Sequence, residues 1–553
     1  MKLNSFDEVK RLTQEMVAIP SINKEPGGES AVAQYIYDYY MGLDYFKEHP
    51  ERTKKFQTKN DFVERHSTYA YVKGTKGNSD KTVILIGHLD TVGVDDFGTI
   101  KEYAFKCEEL PEKLKETFKL SDEVIKDIES GEYMFGRGAL DMKSGVAGHM
   151  YLIKYFSEHT DELDGNIIAI AECDEEDNSK GIITALDELV ELKKTEGFRY
   201  IACINADYST NYSPGDENRY IYYGSIGKLL PCFVAFGKEA HVGQAFSALD
   251  PNLLIAEVTK KMSLNTQLCD IAQGEVAIPP VSLKQMDTKG PYTVQTALTA
   301  FSYYNFFTHG WDPAQVLAKS KEVAVEAFDD VVEYLQGQYK KFCELSNVPY
   351  VPLPWKTRVY TWKEFYDYLA DIHGEPFVKA IKEFTEKLHK DDPELDLRLF
   401  GLRVAEEAWK WCEDKSPAII LFFGSVFSAR IVMTRKTDKE VALLDAVEAA
   451  VEKVRPEAER QIKTRMFYPY ISDSSFMAVC DDTLAVQALK DNMPQYGVKY
   501  THDIDKIMEI NVPVVNIGTF GRDGHMLTER VDMRQTFQNV PNITYETIKG
   551  LLD

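Results

Sequence analysis

The chain has 553 residues, 44% of them hydrophobic, 12% aromatic and 27% charged, which is the make-up of a folded protein large enough for more than one hydrophobic core. A formal net charge of −24 turns most of the surface against nucleic acid and anionic membranes, so neither is an expected partner. The eight cysteines are scattered without a CxxC pair or a compact framework, which excludes a disulfide scaffold and predicts reduced, mostly buried thiols.

The first 23 residues mix apolar and charged side chains at helical spacing and predict a helix over 5–18, with no uninterrupted apolar stretch of the signal-peptide kind. No later run approaches the roughly 20 apolar residues that span a bilayer, and a cytoplasmic location is the expectation. Pro20, Pro26, Gly27 and Gly28 break the chain before a second helix over 29–41. Continuous β-branched runs then follow at 82–86 (TVILI), 166–171 (NIIAIA) and 200–205 (YIACIN), the pattern of strands buried on both faces. Helices over 146–158 and 181–194 alternate with them, and a further strand is predicted at 512–518 (VPVVNIG). The fold class is therefore α/β, a mostly parallel sheet flanked by helices. Residues 216–435 differ in character, with strand-like pieces at 220–225, 229–236 and 418–423 and an aromatic-rich helix over 361–390. They read as a second, α+β domain inserted between a first catalytic part, 1–215, and a second, 436–553, which a helix over 439–454 re-enters.

Chemistry-bearing residues gather where the buried strands end. TVILI runs into Gly87-His88-Leu89-Asp90, placing a histidine at the carboxyl edge of the sheet with an Asp two residues on to orient its ring. Taken alone, this HxD equally fits a turn histidine bonded to its neighbour. Gly136-Arg137-Gly138-Ala139-Leu140-Asp141 precedes a helix, and its glycines permit the tight backbone that a metal-bridging carboxylate needs, although Asp and Gly also suit an ordinary helix start. Asp174-Glu175-Glu176-Asp177 ends NIIAIA, and four successive acids there repel one another unless a cation neutralises them or solvent bathes the turn. With Glu176 as a ligand, Glu175 points differently and can serve as a general base. YIACIN delivers Asp207, and VPVVNIG leads to Arg522, His525 and Glu529. A His/Asp/Glu set of this kind suits zinc, manganese or cobalt rather than iron–sulfur or copper chemistry.

The motifs GHLDTV, GRGALDMKSG, CDEEDNSKG, NAD and the late GHMLTE resemble, in order and spacing, those of the two-zinc aminoacylase, acetylornithine deacetylase, desuccinylase and glutamate carboxypeptidase group of metallopeptidases. Among these the chain looks most like the long bacterial arginine-utilisation branch. The resemblance implies two divalent ions, most simply Zn with Co or Mn as alternatives. His88 and Asp207 would hold one, Glu176 and His525 the other, and Asp141 would bridge them. Glu175 would be the catalytic base, Asp90 the partner of His88, and the Asp141–Met142 peptide cis. The inserted domain would be of the lid or dimerisation type with extra helices. Its Gly237-Lys238-Glu239-Ala240-His241-Val242-Gly243 resembles a lid sequence whose histidine, here His241, steadies an oxyanion, and a homodimer is allowed.

The implied activity is hydrolysis of an amide bond in a small-molecule substrate, an N-acyl amino acid or short peptide, in arginine or amino-acid catabolism. A non-catalytic metal-binding sensor or scaffold of the same fold, and an aminopeptidase, are the alternatives. The family's substrate-carboxylate signature is not legible within 292–311, and 336–417 reads as extra helical sequence. Arg522 is left with two readings, a contact to a substrate carboxylate or an ion pair with Asp523.

Overall fold

The structure, a computed structural model, describes residues 3–553. The chain divides into two compact units, one comprising residues 1–225, 431–479 and 503–553, the other 226–430 and 480–502.

The first unit is built on an eight-stranded sheet. Its strands lie in the order Thr53–Gln57, His66–Lys73, Asn166–Glu172, Lys81–His88, Arg199–Asn205, Val514–Asn516, Arg219–Tyr223, Ile462–Arg465. The four central strands run parallel, from Asn166–Glu172 through Lys81–His88 and Arg199–Asn205 to Val514–Asn516. They are apolar and buried along almost their whole length, as strands covered by helices on both faces must be. The parallel register aligns their carboxyl ends: His88 stands opposite Glu172, and Ile86 opposite Asn205. Loops leaving the sheet there are brought together, the usual location of a site in such folds. Helices Ser144–Glu158, Lys180–Thr195, Asp438–Val454 and Val540–Leu552 flank the sheet in sequence between its strands or after them.

The second unit carries a sheet ordered Val281–Asp287, Thr299–Thr308, Pro231–Phe236, Ala418–Phe423, Val359–Thr361, with Gly227–Leu229 also paired to Thr299–Thr308. Its pairs are antiparallel except the last two in that order, which run parallel. Helices Trp362–His373, Glu375–Asp391 and Leu397–Trp411 pack an aromatic core against it, in which the Trp409 ring stacks on Phe236 at 4.3 Å.

Two expectations are corrected. The single helix over 361–390 is two, because Gly374 adopts φ +62° and Pro376 follows it, which ends one helix and starts the next. The strand expected in the insert at 220–225 is Arg219–Tyr223 and belongs to the first unit's sheet. Residues 480–502 join the second unit, where Gln495 Nε2 donates to the Phe423 carbonyl at 2.8 Å and the Asn492 carbonyl accepts from the Phe423 amide at 2.8 Å. Among the described residues no helix is long and apolar enough to cross a membrane.

Candidate metal centre

His88 is the last residue of its strand and is buried to 2% exposure. Its Nε2 lies 2.9 Å from Asp141 Oδ1. Asp141 reaches that position from the glycine-rich turn, where Gly138 takes φ +81°, a conformation a side chain would resist, and the Asp141–Met142 peptide is cis. The other oxygen of the same carboxylate, Oδ2, lies 2.8 Å from His525 Nε2. One carboxylate thus faces two imidazoles with two different oxygens.

Around it the acids group into three overlapping sets, each with ligand atoms within 4.8 Å of one another: His88, Asp141 and Asp207; Asp141, Glu176 and His525; His88, Glu175 and Glu176. Asp207 follows the Arg199–Asn205 strand, and its approach requires Gly518, since any side chain there would overlap the Asp207 carbonyl. The sequence-predicted residues His88, Asp141, Glu175, Glu176, Asp207 and His525 therefore meet in one place, all within the first unit.

The electrostatics are those of a site short of positive charge. Burial raises the pKa of Glu176 to about 7 and of Asp207 to about 6, with the neighbouring Asp141 charge adding to both. Burial likewise drives Glu175 well above the usual carboxylate range, with Asp473, Asp207 and Glu176 reinforcing it against His88. Asp141 goes the other way: burial opposes its ionisation, but donation from His525 and His88 outweighs burial and lowers its pKa. Burial disfavours a charged His525, yet Asp141 and Glu176 push its pKa up to about 11. Glu176 Oε1 is buried and lies 2.8 Å from His525 Nε2. Imidazole nitrogens and carboxylate oxygens converging in this way fit the donor preferences of a divalent cation of the zinc, cobalt or manganese type. The His525 side chain is 44% exposed, which leaves one side of the cluster open to a small ligand.

Asp90 does more than its spacing suggested. His88 Nδ1 lies 3.2 Å from the Asp90 carbonyl and 3.5 Å from its carboxylate. That carboxylate also accepts from the amides of Glu175 and Glu176, both at 3.2 Å, and from Asn23 Nδ2 at 2.8 Å. It fixes the turn that carries the base candidate as well as the ring of His88. Behind that turn Asp174, at φ +66°, takes an ion pair from Arg65, which also meets Glu29 Oε2 at 2.9 Å. Asn23, Glu29 and Arg65 carry no motif, and only the fold brings them to this place.

His241 lies in the second unit and is exposed. Its Nδ1 accepts from the Gly243 amide at 3.1 Å, which leaves Nε2 to carry the ring proton. Neither reading of Arg522 describes what is seen. Its guanidinium meets Asp127 Oδ2 at 2.9 Å and Glu123 Oε1 at 2.8 Å, so its charge is already matched twice. Asp523 accepts instead from Thr528 Oγ1 at 2.6 Å and from Arg530. Arg522 is thus a structural ion-pair partner of Asp127 and Glu123 rather than a contact for a substrate carboxylate.

RocB of Bacillus subtilis (strain 168) is 33% identical to this chain over 550 residues, covering 100% of this chain and 96% of that protein. A succinyl-diaminopimelate desuccinylase of Psychrobacter sp. (strain PRwf-1) is 25% identical over 281 residues, or 50% of this chain and 61% of the relative. The M20 family metallo-carboxypeptidase Sso-CP2 from Sulfolobus solfataricus superposes with a TM-score of 0.51 at 13% identity, covering 98% of this chain and 99% of that one, a likeness of fold. The model of peptidase family M20/M25/M40 matches residues 84–549. With that match and a full-length relative one-third identical, the chain belongs to peptidase family M20/M25/M40, metal-dependent peptidases and amidohydrolases.

Proposed function

We propose that the protein hydrolyses the amide bond of an N-acyl amino acid or a short peptide at a site that would hold a pair of divalent ions, most simply zinc, with Asp141 a ligand common to both. The observation that carries the reading is the division of the Asp141 carboxylate, Oδ1 towards His88 and Oδ2 towards His525. His88 and Asp207 would hold one ion, Glu176 and His525 the other. When bound, such ions supply Lewis acidity that polarises a carbonyl and brings the pKa of water towards 7.

The remaining work falls to the protein's own groups. Glu175 takes the proton of the attacking water on a carboxylate oxygen and returns it to the leaving nitrogen. Its Oε2 lies 3.9 Å from His88 Nε2, beside the cluster, and its side chain is 11% exposed, which keeps bulk water from competing for the proton. Asp90 keeps the His88 ring and the Glu175 amide in register. For His241 the support is the likeness of its GKEAHVG segment to a lid sequence, and its Nε2 would donate to the oxyanion. The His241→Ala variant is expected to lose about 10²–10³-fold in kcat with an unchanged melting temperature, since the side chain is exposed; an unchanged kcat rejects the assignment.

Substrate class is tested on protein loaded with Zn²⁺, Co²⁺ or Mn²⁺ and offered a panel of N-acyl amino acids, N-acylarginines among them, and free dipeptides. N-acylarginines belong in the panel because the motifs resemble the arginine-utilisation branch. The proposal expects chelator-sensitive release of a free amino acid from at least one acylated substrate. Cleavage of free dipeptides alone narrows the proposal to its short-peptide half, and release of N-terminal residues from longer peptides makes the protein an aminopeptidase. No turnover of any member of the panel at full metal occupancy rejects this substrate class.

A further inference from the structure

Arg137 stands four residues before Asp141 and Glu529 four residues after His525, and both are buried to 1% exposure. A carboxylate and a guanidinium removed from water are costly unless their polar atoms are met, and here they are met in an unusual way. Glu529 Oε1 accepts from three amides of the turn, Gly138 at 2.8 Å, Leu140 at 3.2 Å and Asp141 at 3.3 Å. Glu529 Oε2 accepts from Arg137 Nη1 at 2.6 Å. The rest of the guanidinium donates to the Gly93 carbonyl at 3.2 Å, to both oxygens of Asp96 at 3.2 and 3.1 Å, and to the His525 carbonyl at 3.3 Å.

Each partner therefore grips the backbone that presents the other's neighbour in the cluster. Glu529, from the His525 segment, holds the amide of Asp141. Arg137, from the Asp141 turn, holds the carbonyl of His525 and, through Gly93 and Asp96, the segment that leaves His88. The bonds of this one ion pair thus reach the three segments that deliver His88, Asp141 and His525 to the cluster.

We propose that Arg137 and Glu529 are positioning residues, a buried reciprocal clamp that sets the spacing of His88, Asp141 and His525 and so the affinity and geometry of the metal pair. The inference rests on the two-metal reading above. Neither residue is among the candidate ligands, so the clamp acts through the backbone. Groups that orient metal ligands in this indirect way commonly contribute 10–100-fold to affinity.

The test is a Co²⁺ titration of metal-free protein, read both as affinity and as the visible spectrum, which reports ligand geometry. The probe variant is Arg137→Met/Glu529→Leu, because apolar replacement of both members of a buried pair commonly preserves folding. With an unchanged circular dichroism spectrum, Co²⁺ affinity should fall about 10–100-fold and the visible bands should shift. A folded double variant that binds Co²⁺ within about twofold of wild type with the same spectrum overturns the clamp. Should the double variant not fold, Glu529→Gln is read by the same titration, since it keeps an acceptor for the three amides and removes the charge facing Arg137. A roughly tenfold loss supports the clamp, and an unchanged isotherm and spectrum overturn it. Wild-type protein that binds fewer than two Co²⁺ overturns the two-metal reading itself, and the clamp with it.

Discussion

Glu175→Gln is expected to keep both divalent ions and to lower kcat by about 10²–10⁴-fold, the usual weight of a positioned general base. Glutamine has the same shape and can accept a hydrogen bond, but it cannot carry the proton from water to the leaving nitrogen. The backbone of the turn should be unmoved, because Asp90 holds the amides of residues 175 and 176 whatever the side chain is. The experiment also separates the two roles open to this carboxylate, since Glu175 forms a ligand-sized set with His88 and Glu176. A base that is lost leaves metal content untouched while turnover collapses; a ligand that is lost lowers metal content with the rate. Elemental analysis beside kcat distinguishes them, and full activity in the variant removes Glu175 from the chemistry.

The parts of the fold that were legible are those whose burial is written as an uninterrupted apolar run. The strands ending at His88 and Asn205, and the one that precedes Glu175, are buried on both faces, and their sequences say so. His66–Lys73 and Thr53–Gln57 escaped, because HSTYAYVK and TKKFQ mix tyrosine with lysine and polar residues, as antiparallel strands towards a sheet edge do. In the second unit Val281–Asp287 was hidden as an edge strand of mixed polarity, and Thr299–Thr308 because serine, asparagine and tyrosines interrupt its apolar run. The return of 480–502 to the second unit has no local sign at all, for it depends on hydrogen bonds to Phe423.

At the site, the residues that converge were legible because each follows a recognisable strand or glycine turn. Their supports were not. Arg65 meets Asp174 and Glu29 across more than a hundred positions of sequence and thirty-six, respectively, and no spacing rule links them. Arg522 misled for a related reason: the sequence offers Asp523 as a neighbour, whereas alternation along the short Gly521–Arg522 strand turns the guanidinium towards Asp127 and Glu123.

Asp141→Asn carries the other large effect. An asparagine of the same size presents one oxygen and one amide, so it can face a cation on one side only, whereas the aspartate turns an oxygen to each imidazole. At least one equivalent of metal should be lost, and with it several kcal/mol of transition-state stabilisation, about 10³-fold or more in kcat/KM. The fold should survive, because the turn amides are held by Glu529 and not by the Asp141 carboxylate.

The most direct measurement is an anomalous difference map from crystals of the zinc-loaded protein. Two peaks about 3.5–4 Å apart, one beside His88 and Asp207, the other beside Glu176 and His525, and both bonded to Asp141, are the predicted result. A single peak, or two that do not share Asp141, would contradict it.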